Sequence, residues 1–197
     1  MHLQHLLVSL LLTVVAASPA RPAIHGGTDA EPGEFPSIVS IRRIANAFKH
    51  MCAGVLVAPE WVLTSAFCVG EVGPSSIDAV GGEHNLVVPS LHEQVRGVEA
   101  IARHPNYTHS DSSMGGMATP ETNDIALLRL KSAMEETEWV GVAELAGAEP
   151  APGTECVTAG WGTRTTGGLF MTSILQRAAA KPVARPDCEQ VRKCDQH

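Results

Sequence analysis

Early in the chain stands Trp61-Val62-Leu63-Thr64-Ser65-Ala66-Phe67-Cys68, a strand-forming quartet followed by a short turn that ends in a cysteine. Aromatic, β-branched and aliphatic residues in the first four positions are the composition of a β-strand. Working outward, similar alternating or β-branched runs lie at Ser37 to Arg42, Ala53 to Val57, Ile77 to Gly81, Gln94 to Ala102 and Ile125 to Leu130. Clusters of Gly, Pro and Asn separate them, as turns between short strands require. Aromatic content is low at 4%, while Gly, Pro, Val and Ala are frequent, so the fold class is all-β.

The N-terminus has a different character. An apolar stretch from Leu6 to Leu12 continues past Thr13 to the small residues Ala16, Ala17 and Ser18, which predicts a secretory signal peptide over residues 1–20 with a cut near Ala17 or Ala20. His2 and His5 replace the usual Lys or Arg ahead of it, and the run is too short to span a hydrocarbon core of about 30 Å. The protein is therefore expected to be secreted and extracellular, with no membrane anchor. About 175 residues remain after processing, enough for one full domain with a substantial core. The net charge of −7 is spread without long runs, and no basic patch suggests nucleic acid or an anionic membrane as a partner. Five cysteines in an oxidising compartment should form disulfides, and an odd number leaves at least one without an internal partner.

Four elements occur in a recognisable order. Ile24-His25-Gly26-Gly27 opens the mature domain, Cys52 precedes Cys68 of the Phe67-Cys68 pair by sixteen residues, Asn123-Asp124-Ile125-Ala126-Leu127-Leu128 follows, and Cys156-Val157-Thr158-Ala159-Gly160-Trp161-Gly162 comes last. Together they resemble the trypsin and chymotrypsin family of serine peptidases over about Ile24 to Cys188. The resemblance implies a chymotrypsin-like double β-barrel. A short pro-segment would occupy 21–23, a complete six-stranded first barrel 24–145, an inter-barrel linker 146–155, and the beginning of a second, truncated barrel 156–197. It also implies a Cys52–Cys68 disulfide, whose loop is worth about 3 kcal/mol in the chain-entropy estimate. The connectivity of Cys156, Cys188 and Cys194 stays open.

In such a family the residue before Cys68 is the general base, and here it is Phe67, which cannot accept a proton. Asp124 matches the acid that orients that base, but it has no imidazole to orient. No Gly-Asp-Ser-Gly-Gly sequence occurs in these residues to supply a nucleophile and oxyanion donors, and Ala23 precedes Ile24 where a basic residue would direct activation. His50, His84, His104 and His109 are the other histidines weighed as a base, and none sits in the matching segment. As written, the chain should not hydrolyse peptides. It is expected to act by binding proteins, namely peptidases, their inhibitors or peptidase substrates. The alternative is a serine-type endopeptidase represented by a truncated product, which would explain a missing half but not Phe67.

No cofactor is required by this reading. The segment Glu83 to Gln94 is similar to the calcium loop of trypsins, so Glu83, Glu93 and the carbonyls of Asn85 and Val88 are candidate ligands for a structural calcium ion, the alternative being a metal-free solvated loop. Asn106-Tyr107-Thr108 is a glycosylation sequon.

Overall fold

The computed structural model describes residues 27–46, 49–70, 72–108, 122–162, 171–184 and 186–187. The expected signal peptide, the pro-segment, His109, Cys188 and Cys194 lie outside the described residues.

Six strands close into an antiparallel barrel. They are β2 (Ile38–Arg43), β3 (Lys49–Ala58), β4 (Trp61–Thr64), β5 (Ile77–Gly81), β6 (Gln94–Arg103) and β7 (Ala126–Leu130), joined in the order β2-β3-β4-β7-β6-β5 with β5 returning to β2. Two strands are ten residues long because each pairs with its two neighbours along successive parts of its length. β3 pairs with β2 through Lys49 to Val55 and with β4 through Val55 to Ala58, while β6 pairs with β5 up to Gly97 and with β7 from Val98 onward. Register shifts at Ile41/Arg42, Leu56/Ala58 and Val98/Ala100 bend these strands, as closure of so small a barrel demands.

The period-two pattern has its expected result. In β7, Ala126, Leu128 and Leu130 point inward and Leu127 and Arg129 outward. Val39, Ile41, Leu56, Val62, Ile77, Val98 and Leu128 fill the barrel, and Ala66 and Val69 of the four-residue helix α1 (Ala66–Val69) cap one part of it. Full burial of one such aliphatic side chain is worth about 1.5–3 kcal/mol. Met134 and Val140 from the segment after β7 complete this core, and none of its buried residues comes from the second sheet.

Among the described residues that second sheet has three strands, in the order β1-β9-β8: β1 (Thr28–Asp29), β8 (Cys156–Gly160) and β9 (Gln176–Ala180). The stretch 146–155 between barrel and sheet is exposed and without regular structure. Sequence alone assigns residues 28–29 to the first barrel, yet they pair with Arg177 and Gln176 in the second sheet. Ala30, Ile38, Trp161 and Leu175 form a small core where that sheet meets the barrel. Among the described residues no helix is long and apolar enough to cross a membrane.

Candidate active site

The β4 strand delivers the chain to Ser65, whose hydroxyl accepts the N–H of Cys68 at 3.1 Å and so starts α1. The disulfide between Cys52 of β3 and Cys68 of α1 fastens the short helix to the barrel wall. Between them Phe67 is presented outward, 56% exposed. The residue beside the disulfide is thus an exposed aromatic hydrocarbon.

Asp124 comes to the same place from the segment leading into β7, the strand next to β4. Asn123 just before it has φ 57°, a left-handed conformation that Asn tolerates better than most residues, and its side-chain amide donates to the carbonyl of Asn106 at 2.9 Å. This turn directs the Asp124 carboxylate at α1, where Oδ1 accepts the backbone N–H of Phe67 at 2.7 Å. The carboxylate thus holds the main chain of the residue whose side chain it cannot assist. Beside it lies a shallow cavity of about 390 Å³ whose walls include Asp124, Ser65, Val55, Leu63 and Ile125.

Of the other candidate histidines among the described residues, His50 and His104 have a ring nitrogen in a hydrogen bond, while His84 Nδ1 is buried without a hydrogen-bond partner. His50 is buried in β3, shares a 2.7 Å hydrogen bond between Nδ1 and Ser40 Oγ, and packs against the indole of Trp161 with ring centroids 5.2 Å apart. Burial, with a smaller contribution from the nearby Arg42 charge, lowers its pKa from 6.5 to about 4, so the ring is neutral at physiological pH. The carbonyl of His84 accepts the N–H of Leu175 at 2.8 Å and the indole N–H of Trp161 at 3.3 Å. His104 Nδ1 accepts the N–H of Asn106 at 3.2 Å. Ser40 and Trp161 as partners of His50 were not foreseen in the sequence, because each comes from a different strand or loop.

The remaining expected features fall as follows. Asn106 is exposed on the turn after β6, where a glycan would have room. Thr108 and Thr122 pair with one another, so the two ends of the stretch between them meet. In the candidate calcium loop Glu83 is buried and Glu93 half-buried, and both face Arg42, a residue the sequence reading did not include. Cys156 is partly buried and has no disulfide partner among the described residues.

The family model for trypsin matches residues 24–196. The chain is 32% identical to human serine protease 1 over 185 residues, covering 91% of this chain and 68% of that protein. It is 37% identical to human chymotrypsin-like elastase family member 1 over 157 residues, covering 78% of this chain and 57% of the relative. Among solved structures it resembles mouse neuropsin, described as a serine protease expressed in the limbic system of the brain, with a TM-score of 0.72 and 28% identity over 85% of this chain and 68% of that one.

Proposed function

Because this chain belongs to the trypsin family of serine peptidases and has the chymotrypsin-like fold, with a closed first barrel and part of a second, we propose that it is a secreted, non-catalytic member that acts by binding proteins. The observation that carries this reading is Phe67. It sits on α1 beside the disulfide and donates its backbone N–H to Asp124, and its benzene ring cannot accept a proton. Loss of the base alone typically lowers turnover by about 10⁶ in such triads, because the nucleophile then keeps its proton.

Binding is the activity left to a site without a base. An exposed phenylalanine is a suitable anchor for a protein partner, since an aromatic ring buries much area at little conformational cost. With the neighbouring cavity it offers an apolar surface where peptidases, their inhibitors or peptidase substrates would dock.

The test uses purified protein, a fluorophosphonate probe and a pool of peptide substrates. We expect no labelled serine and no turnover. Stoichiometric labelling of one serine, or hydrolysis abolished by a serine-directed inhibitor, would defeat the proposal. Binding is measured against immobilised reactive-loop inhibitors of serine peptidases, and Phe67→Ala should weaken any complex at least tenfold if the ring is the anchor.

A further inference from the structure

Family resemblance implies a calcium ion between Glu83 and Glu93. The connection from β5 to β6 does bring these carboxylates together: Glu83 lies two residues after the last residue of β5 and Glu93 one before the first of β6. Gly82 makes the closure possible, with φ 73° and a position where a Cβ would lie 2.5 Å from the carbonyl oxygen of His92. A side chain from the adjacent strand already stands between the two acids. Arg42 Nη2 donates to Glu83 Oε2 and also reaches Glu93 Oε2 at 3.4 Å.

Burial makes this pairing consequential. The Glu83 side chain is 0% exposed, that of Glu93 8% and that of Arg42 15%. Carboxylates so shielded from water need a cation close by to stay ionised, and the guanidinium provides one. Its position follows from β2, where the register shift between Ile41 and Arg42 breaks the strict in-and-out alternation. Other oxygens of the loop are occupied as well. Glu93 Oε1 accepts the N–H of Ser90 at 2.7 Å, and the carbonyl of Asn85 accepts the N–H of Val88 at 3.1 Å. Calcium takes about six to eight oxygens at roughly 2.3–2.6 Å, and here it would have to approach oxygens that a fixed positive charge already holds. Among the described residues no group of three or more His, Cys, Asp and Glu is arranged to hold a metal. The residues present do not fit the ion.

We propose that Arg42 is the built-in cation of this loop, its guanidinium taking the place of a divalent ion and making the fold independent of calcium. Removing that charge leaves two shielded carboxylates without a counter-ion. Glu83 Oε1, buried and without a hydrogen-bond partner, is then the oxygen that an added hard cation would engage first.

Thermal melts in millimolar calcium and in chelator, with calorimetric titration of calcium into the wild type, test this. Wild type should bind no calcium and melt identically in both conditions. Arg42→Gln should melt lower in chelator and recover with calcium, by about 5–10 °C at hundredfold excess over Kd. Arg42→Lys, which keeps the charge, should respond less than Arg42→Gln. If Arg42→Gln does not fold in chelator, recovery of folded protein only in calcium is the equivalent positive result. A calcium shift in the wild type that Glu93→Gln abolishes overturns the proposal, as does an Arg42→Gln protein that calcium fails to stabilise.

Discussion

Asp124 and Phe67 form a pair in which the acid serves the backbone and not the ring. Oδ1 of Asp124 accepts the Phe67 N–H at 2.7 Å, so a substitution at 124 should register in stability and have no catalytic consequence. Asp124→Ala leaves the N–H to water, and a charge-assisted bond at an exposed site is expected to cost about 1 kcal/mol. Asp124→Asn keeps an oxygen acceptor and should lose less. Urea denaturation of the two variants measures the difference, and an Asp124→Ala midpoint equal to wild type would show that the bond contributes nothing. Both residues were legible in the sequence because their neighbours are distinctive and their order along the chain is fixed. Arg42 was not, because its partners Glu83 and Glu93 are 41 and 51 residues away and only the β2–β5 pairing brings them near.

At the level of elements, the strands that were easiest to read are those with one face in the barrel. Trp61–Thr64 and Ile77–Gly81 have the bounds expected from alternation alone, and β2, β6 and β7 differ from expectation by a residue at one or both ends. β3 is longer than its apolar centre suggested, since Lys49 to Cys52 are recruited by pairing with β2. β1 and α1 escaped notice for a common reason. A two-residue Thr-Asp strand and a four-residue helix are too short to show a period, and tertiary contacts create them. Within β3, Gly54 allows a close approach to β4: a Cβ there would lie 2.6 Å from Val62 Cγ1 and 3.0 Å from the carbonyl of Leu63. Val62 is fully buried and cannot yield easily. Gly54→Ala should therefore destabilise by about 1–3 kcal/mol, while Gly160→Ala, with open space at its Cβ position, should be tolerated far better. Equal melting temperatures for the two variants would contradict the packing described for the β3–β4 pair.

On the scale of the whole molecule, His50 couples stability to pH. Its folded-state pKa of about 4 lies below the unfolded value of 6.5, so the unfolded chain binds the proton first as pH falls. The stability associated with the neutral ring is fully present above pH 6.5 and is lost as pH falls toward 4, by about 3 kcal/mol in all. Compared with His50→Gln, wild type should lose that much more unfolding free energy between pH 7 and pH 4. Parallel curves for the two proteins across this range would exclude the ring as the source. The ring sits between Ser40 of the barrel and Trp161 beyond the linker, so its protonation also bears on the seam between barrel and sheet. That seam has a further tie in β1, where Asp29 receives a hydrogen bond from Gln176, 147 residues later, at 2.5 Å. On a ribosome adding about 5–20 residues per second, Asp29 waits roughly 7 to 30 seconds for that partner to be made. By then every strand of the barrel has been synthesised, so the β1–β9 pairing can form only after all the strands of the barrel exist.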